Sequence, residues 1–513
     1  MRTLTRFLLL LVCGVTTHSL VSCPQASAQD RPNIVFIMAD DVGWSNPSCY
    51  HNGLMSSRTP NIDKIAKEGM RLTDYYAQPS CTAGRGAFLT GQFPVRNGMH
   101  TVGLPGDEKR LSNNDPTVAM LLKKMGYATG QFGKNHLGDT DEALPTRHGF
   151  DEYWGWLYHL NAMEYTSNPD FPQGEEGQAF RPRNIVDCVV TADGKQQIRD
   201  DGPCPPERMK TLDDEVTKRT LNFIERQAKA NKPFFCWMCP ARAHIYTYLS
   251  DKYKNMLGKD GMGMQEVVMK ELDDNVGLVL EKLDSLGISD NTIVVFTSDN
   301  GPEIMTWPDG GMTPFHGEKG TTWEGGFRVP MVVRWPGKIP AGQVSNGMMD
   351  HMDFLPTLVA AAGGPSNLKE RLRTGYQGYR VHLDGYNQLD MLLGRGKSKR
   401  KEIIYYEGTT LQAVRYGDWK AHFIVQNEGW FGPKEKLGAP LLFNLRRDPY
   451  EKAADESGNY IEFLGKNMWA FGPAKRIVQQ HLATFKDFPP RSDSAQSNAK
   501  EIEETVRQDK VGQ

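Results

Sequence analysis

Asn33-Ile34-Val35-Phe36-Ile37-Met38-Ala39-Asp40-Asp41 is the stretch that decides the fold class, because a nearly continuous apolar run ends abruptly in two aspartates. A run without polar alternation is typical of a parallel strand that is buried on both faces of a sheet. The stretch 292–297 repeats this design and is followed by Ser298-Asp299-Asn300-Gly301. Open α/β sheets bind ligands at the carboxyl ends of their strands, so we expect both acidic ends to lie at one site.

These two strand ends also predict a metal site. Adjacent carboxylates such as Asp40 and Asp41 repel one another unless a cation or hydrogen-bond donors compensate. Together with Asp299 and Asn300 they offer only hard oxygen ligands, which suit Ca²⁺ or Mg²⁺ better than zinc. Taken singly, each acidic pair is more often a turn or a helix cap.

Strand and helix patterns alternate along the chain. The apolar spacing predicts helices over 61–70, 117–124, 212–230 and 265–286, and strands over 127–132 and 232–239. This alternation predicts an α/β fold, in which helices cover both faces of a large, mostly parallel sheet. Residues 151–210 are rich in Pro, Gly and aromatic residues, and we interpret them as long loops on the rim of the site.

A smaller C-terminal α+β subdomain with a short antiparallel sheet is expected to begin near residue 401. Its predicted strands cover 403–406, 411–416 and 441–445. The predicted organisation is therefore a catalytic domain over 30–400, this subdomain over 401–490, and a charged, polar tail over 491–513 whose composition is typical of disorder.

Residues 1–28 have the pattern of an export signal. Arg2 and Arg6 precede an apolar run over 7–12, and Ala26-Ser27-Ala28 forms an A-x-A cleavage site. Leu20-Val21-Ser22-Cys23 offers a second reading, a lipoprotein box that would leave Cys23 lipidated. Either reading predicts a periplasmic or secreted protein, and no later stretch is long and apolar enough for a transmembrane helix.

Net charge and cysteine positions bear on three possibilities: nucleic-acid binding, a disulfide, and metal binding by cysteine. The formal net charge of −2 gives no reason to expect a nucleic-acid partner, so an anionic substrate must be attracted by a local cluster. Cys188 and Cys204 flank a polar, turn-rich stretch, where a disulfide would suit an exported protein. Cys236 and Cys239 are placed on opposite faces of a strand, which favours core packing over metal binding.

The stretch 78–91 carries the candidate nucleophile. Ser80 is a plausible N-cap and Gly91 a plausible C-cap of a short helix. Cys81 and Arg85 would then share one face, with the cysteine in the first turn, where free N–H groups favour an anion. These features alone fit a site for an anionic ester and a buried structural cysteine equally well.

Ser80-Cys81-Thr82-Ala83-Gly84-Arg85, followed by Leu89-Thr90-Gly91, resembles the signature of the type I, formylglycine-dependent sulfatases, which are arylsulfatase-like members of the alkaline phosphatase superfamily. Other motifs resemble that family in its order, and the resemblance covers about residues 32–455. These motifs are Asp40-Asp41, Gly133-Lys134-x-His136-Leu137-Gly138, Asp299-Asn300-Gly301, Lys319-Gly320-x-x-Trp323-Glu324-Gly325-Gly326 and Phe443-Asn444-Leu445-x-x-Asp448-Pro449-x-Glu451.

The resemblance implies hydrolysis of a sulfate ester to an alcohol or phenol plus inorganic sulfate. Cys81 would be converted to formylglycine, whose hydrate attacks sulfur and forms a covalent sulfo-enzyme. Arg85 would orient the hydrate. One Ca²⁺ would be bound by Asp40, Asp41, Asp299, Asn300 and the modified Cys81.

The resemblance also implies roles for four cationic or basic side chains. Lys134 and His136 would flank the hydrate, with His136 as the candidate base. His244 and Lys319 would hold the sulfate and stabilise or protonate the leaving oxygen. The implied partners are a sulfated small molecule or sulfated glycan, and a sulfatase-maturating enzyme.

The signature departs from its commonest form, which has proline and serine where this chain has Ala83 and Gly84. The pattern is closer to what the anaerobic radical-type maturation enzyme tolerates. Two alternatives stay open. One is a metal-dependent phosphodiesterase or phosphonate ester hydrolase with Thr82 as nucleophile, and the other is a non-catalytic protein that binds sulfated glycans if Cys81 is not converted.

Overall fold

The structure is a computed structural model that describes residues 31–491. The predicted export signal, Cys23 and nearly all of the predicted polar tail lie outside the described residues. Over residues 31–491, the structure contains no helix with the length and apolar character needed to cross a membrane.

The strands of the described chain form three sheets. In chain order they are β1 Asn33–Ala39, β2 Met70–Leu72, β3 Tyr75–Tyr76, β4 Ala128–Gly133, β5 Glu152–Gly155, β6 Val186–Val190, β7 Gln196–Asp200, β8 Phe234–Cys239, β9 Thr292–Ser298, β10 Met331–Arg334, β11 Gln343–Ser345, β12 Met349–Asp350, β13 Glu402–Glu407, β14 Thr410–Tyr416, β15 Trp419–Val425 and β16 Glu435–Asn444. The main sheet has the order β11-β2-β10-β9-β1-β8-β4-β5-β6-β7, β12 pairs with β3, and β13 to β16 form an antiparallel sheet.

Helices connect and cover these strands. In chain order they are α1 Ser48–His51, α2 Pro60–Glu68, α3 Cys81–Thr90, α4 Pro94–Asn97, α5 Val118–Lys124, α6 Leu160–Met163, α7 Glu175–Gln178, α8 Pro206–Met209, α9 Leu212–Lys229, α10 Asp251–Lys254, α11 Met264–Ser285, α12 Glu324–Phe327, α13 Phe354–Ala361, α14 Leu368–Thr374, α15 Leu389–Leu392, α16 Ala453–Glu456, α17 Tyr460–Asn467 and α18 Phe471–Ala483. Short 3-10 turns occur at 141–143, 145–147, 165–167, 259–261, 289–291, 304–306, 351–353, 468–470 and 484–486.

The centre of the main sheet confirms the predicted fold class. Strand β1 pairs in parallel with both β8 and β9, and all its residues are buried. Its alternate side chains enter two cores, one covered by α2, α9 and α11 and the other by α3, α5 and α13. Cys236 and Cys239 enter opposite cores, as the strand pattern predicts.

The region 151–210 differs from the prediction of long loops. Strands β5, β6 and β7 extend the main sheet at one edge, β6 and β7 being antiparallel. Edge strands face solvent on more sides, so their charged residues hide the apolar pattern on which a strand prediction depends. Strand β15 was also not predicted, for a different reason. It lies inside the C-terminal sheet, and its buried Lys420 and His422, which belong to a polar network, interrupt the apolar pattern.

The sequence leaves open whether Cys188 and Cys204 form a disulfide, and the structure has none between them. In the described part of the chain both residues are free cysteines. Both thiols are buried in the same apolar core, where cysteine packs as a small hydrophobic side chain.

Helix α3 is buried along its whole length and packs at Gly84 against Asp299, which directly follows β9. Its N-cap is Ser80, and Gly91 ends it in the left-handed conformation with φ 65°. Gly84 permits the close approach, because a Cβ atom there would lie 1.9 Å from the carbonyl oxygen of Asp299. The glycine that replaces the common serine of the signature is therefore a packing requirement in this chain.

A buried charge network joins the C-terminal sheet to the first residue of α12. The Lys420 ammonium on β15 lies 3.0 Å from Glu324 and 2.9 Å from Glu451. Glu324 also accepts hydrogen bonds from Tyr76 and Tyr405, both at 2.7 Å. Burial alone would raise the pKa of Glu324, but Lys420 and two arginines outweigh it and hold the pKa well below its usual range.

We predict that Gly84→Ala destabilises the protein by about 1–3 kcal/mol, because the added methyl group must displace the backbone of Asp299. Urea unfolding measures the change. Gly472→Ala is the matched control, since its Cβ would meet no atom of the described residues within 4 Å. Equal stability of the two variants would contradict the close packing of α3.

We further predict that Lys420→Met lowers the free energy of unfolding by about 3–5 kcal/mol, because two buried carboxylates lose their shared cation. The control is Lys466→Met, which removes an exposed ion pair with Glu462 and should change stability very little. Chemical denaturation of both variants tests the difference, and similar midpoints would refute it.

Candidate active site

The ends of β1 and β9 lie side by side, because the two strands are parallel and Ala39 pairs with Ser298. The structure therefore brings the four acidic and amide side chains that follow them to one place. The backbone N–H of Asp41 donates to Asp299 Oδ1 at 3.3 Å, and Asn300 Nδ2 donates to Asp41 Oδ1 at 2.6 Å. All are buried.

A buried cation lies against each of the three strand-end aspartates. The closest contacts are Lys134 Nζ to Asp40 Oδ2 at 2.7 Å, Lys319 Nζ to Asp41 Oδ2 at 2.8 Å, and Arg85 Nη2 to Asp299 Oδ2 at 2.8 Å. The cations come from three separate segments, namely the loop after β4, the loop before α12, and helix α3. Buried ion pairs thus connect sequence motifs that are far apart in the chain.

Burial shapes the protonation of the site. It raises the pKa of Asp40 to about 8, with Lys134 opposing and Asp299 and Asp41 adding to the rise. Burial also raises the pKa of the Cys81 thiol, although Lys134 and Lys319 oppose it. An unmodified Cys81 would therefore stay protonated and would be a poor nucleophile.

The donor set fits a hard divalent cation. One ligand atom each of Asp40, Cys81 and Asp299 lies within 4.8 Å of the others. Asp40 Oδ1 and Asn300 Oδ1 are buried and find no hydrogen-bond donor anywhere in residues 31–491. Oxygens left without donors at the meeting point of carboxylates are what a Ca²⁺ ion would satisfy.

Two of the predicted site histidines have one ring nitrogen fixed by a backbone carbonyl. His136 Nε2 lies 3.0 Å from the carbonyl oxygen of Gly103, so this nitrogen carries the proton. His136 Nδ1 is buried and has no hydrogen-bond partner within the described chain. His244 Nδ1 donates to the carbonyl of Ile245 at 2.7 Å, which leaves its Nε2 3.8 Å from Asp41 Oδ2. Burial holds the pKa of both histidines well below its usual value.

A cavity of about 500 Å³ leads to Cys81. It is lined by residues that sequence reasoning named, Cys81, His244 and Lys319, and by several that it missed. The missed residues include His159, Glu303 and Trp430. Glu303 lies close enough after the Asp299-Asn300-Gly301 motif to have been named as a further carboxylate of the site, whereas Trp430 belongs to a distant loop without a local signal.

Two family profiles match the chain. The sulfatase family profile matches residues 32–364, and the profile of the C-terminal region of aryl-sulfatase matches residues 398–508.

Related proteins cover almost the whole chain. The N-acetylgalactosamine-6-sulfatase of Canis lupus familiaris is 32% identical, over 91% of this chain and 88% of its own length. Arylsulfatase A of Homo sapiens is 33% identical, over 82% of each chain. The crystal structure of PsFucS1 sulfatase from Pseudoalteromonas sp. superposes with a TM-score of 0.79 at 32% identity, covering 90% of this chain and 92% of the other. With these matches and the converged motifs, the chain belongs to the sulfatase family and is a sulfuric ester hydrolase.

Proposed function

We propose that the chain hydrolyses sulfate esters with a nucleophilic oxygen supplied by formylglycine at position 81 and with the help of one bound Ca²⁺. The observation that carries the proposal is the position of Cys81. It lines the cavity and lies beside Asp40, whose Oδ1 has no donor among the described residues, where Arg85, Lys134 and Lys319 bring buried cations.

Charge balance supports this chemistry. Among the described residues at the centre, four carboxylates, the three aspartates and Glu303, face the three cations of Arg85, Lys134 and Lys319. With all groups ionised the cluster carries one net negative charge, which a divalent cation would convert to one net positive charge. A sulfate ester carries one negative charge and would neutralise it.

Asp40, Asp41, Asp299 and Asn300 would hold the Ca²⁺. When bound, the ion would polarise the sulfate oxygens as a Lewis acid. A nearby dication also favours the ionised form of a carboxyl group, which would reverse the raised pKa of Asp40.

Protein side chains would handle the protons and the leaving oxygen. Arg85 and Lys134 would orient the hydroxyl groups of the modified Cys81, and His136 Nδ1 is a free acceptor for a proton from them. His244 presents a bare Nε2 in its neutral form, so it must be protonated before it can donate to sulfate. A bound anion favours that protonation. Lys319 would stabilise the charge that develops on the bridging oxygen.

A second cluster bears on the phosphodiesterase alternative. Asp41, His244 and Glu303 place one ligand atom each within 4.8 Å of one another, which resembles a second metal site. The Lys319 ammonium, however, lies 2.8 Å from Asp41 and 3.2 Å from Glu303. A fixed cation in this position takes the place of a second metal ion and favours the one-metal sulfatase.

Export and maturation belong to the same proposal. The signal-like residues 1–28 support a periplasmic or secreted enzyme, and the Cys81 signature supports a sulfatase-maturating enzyme as partner.

We predict that protein produced together with a sulfatase-maturating enzyme carries an aldehyde instead of a thiol at residue 81. Peptide mass spectrometry after thiol alkylation and hydrazine labelling measures it. Cys81→Ala should lower kcat/KM for p-nitrophenyl sulfate at least about 10³-fold. Cys49→Ala, which changes a free cysteine outside the site, should keep the activity.

Two results would contradict the prediction. An unmodified thiol at residue 81 in fully active protein would exclude the formylglycine mechanism. Turnover of a phosphodiester without any sulfate ester hydrolysis would favour the phosphodiesterase alternative.

We also predict that EDTA abolishes activity and that Ca²⁺ restores it. Because the ion would bind only the folded chain, saturating Ca²⁺ should raise the thermal midpoint, by a free energy of about 2.7 kcal/mol at 100 times the dissociation constant. Asn300→Ala should weaken this stabilisation. Asn275→Ala, a buried amide on α11, should retain it. A midpoint that does not respond to Ca²⁺ in the unsubstituted protein would exclude the site.

A further inference from the structure

The loop that carries His244 contains a fully buried arginine. This loop, residues 240–248, follows β8, and its residues 244–246 line the cavity that leads to Cys81. Arg242 has no exposed surface and is not among the residues that line this cavity. A buried guanidinium is costly unless it is paired and hydrogen-bonded, so the groups that contact it indicate its role.

The guanidinium of Arg242 binds a helix and the far end of its own loop. Its Nε and Nη2 donate to the two carboxylate oxygens of Glu271 on α11, at 3.1 and 3.2 Å. Nη2 also donates to the carbonyl oxygen of Tyr248 at 3.2 Å. Because Arg242 precedes His244 in the chain and Tyr248 follows it, this contact closes the loop around the histidine.

The backbone at the beginning of the loop is fixed separately. Asp213 on α9 accepts hydrogen bonds from the N–H groups of Ala241 and Arg242, at 2.7 and 3.1 Å. The N–H group of Ala243 donates to the carbonyl oxygen of Asp40 at 2.7 Å. These bonds hold the first half of the loop at the end of β1, and the Arg242 side chain adds a link to its second half.

The stretch between these two attachments includes a strained residue. Tyr246 has φ 60°, in the left-handed region that a bulky side chain rarely adopts. Such a conformation persists only where the surrounding structure enforces it. His244 Nδ1 donates to the carbonyl oxygen of Ile245, so the direction of its ring depends on the same stretch of backbone. A link across the loop therefore bears on the orientation of His244.

We propose that Arg242, held by Glu271, is a positioning residue that fixes the orientation in which His244 meets the sulfate ester. The proposal rests on the proposed function, in which His244 contacts the sulfate. Arg242 does not touch the substrate and acts only through the backbone that joins it to His244. Residues that hold a substrate-binding side chain in place in this way can change the rate considerably, because a small displacement of that side chain is costly.

A double-mutant cycle tests the proposal. Protein saturated with Ca²⁺ is assayed with p-nitrophenyl sulfate, and rates are normalised to the aldehyde content at residue 81. Arg242→Met should lower kcat/KM about tenfold and weaken inhibition by inorganic sulfate by a similar factor. In the His244→Ala background the same substitution should change both quantities less than about twofold, because no ring is left to position.

Two further variants separate positioning from folding. Arg242→Lys keeps the buried charge and so protects the fold, but it lacks the planar fork that contacts Glu271 and Tyr248 together, and it should show the same pattern. Arg334→Met is the matched control. Arg334 is another buried arginine that pairs with a glutamate, Glu68, and it is not part of the cavity lining, so kcat/KM and sulfate inhibition should stay unchanged.

Equal losses from the Arg242 substitutions with and without His244 would overturn the inference, as would unchanged kinetics in both Arg242 variants. If His244→Ala alone changed neither kcat/KM nor sulfate inhibition, the role of His244 would fall and this inference with it. Absence of sulfate ester hydrolysis in the unsubstituted, aldehyde-bearing protein would instead overturn the proposed function as a whole.

Discussion

Three carboxylates buried at the ends of β1 and β9 are the constraint on which the described structure of the site depends. An ionised carboxylate loses several kcal/mol of solvation when it leaves water, and only a close cation or good hydrogen bonds offset that loss. The chain supplies the cations from α3, from the loop after β4 and from the loop before α12. Charge compensation therefore decides which distant segments must meet.

The C-terminal sheet takes part in the same arrangement. Lys420 on β15 binds Glu324, which lies five residues beyond Lys319, and Glu451 accepts from the backbone N–H of Glu324 at 2.7 Å. This sheet thus supports the loop that brings Lys319 to Asp41, and it carries Trp430 against that lysine. Its position against the larger sheet is coupled to the geometry of the site.

The sequence was informative where a pattern is local. The buried parallel strands β1 and β9 show as continuous apolar runs, and helix α3 shows through Ser80 and Gly91. The sequence was uninformative where contacts between distant segments determine whether a strand forms or how a side chain packs. Strands β6 and β7 are stabilised by their neighbours despite charged residues, and Cys188 and Cys204 pack as apolar side chains although their surroundings look like a disulfide loop. Glu303 and Trp430 could not be assigned to the site from the sequence, because only the fold brings them into contact with the Lys319 ammonium.

The site separates two tasks by the kind of element that performs each. Its charged floor is built at strand ends and on a fully buried helix, where the backbone is held by the sheet and by contacts such as that of Gly84. Its mouth is built on loops, including the one that carries Trp430 and Phe431. Floor geometry must match the fixed shape of a sulfate ester, so it tolerates little change. Mouth residues contact only the alcohol part of a substrate, so under the proposed function they can vary without disturbing the charge balance beneath them.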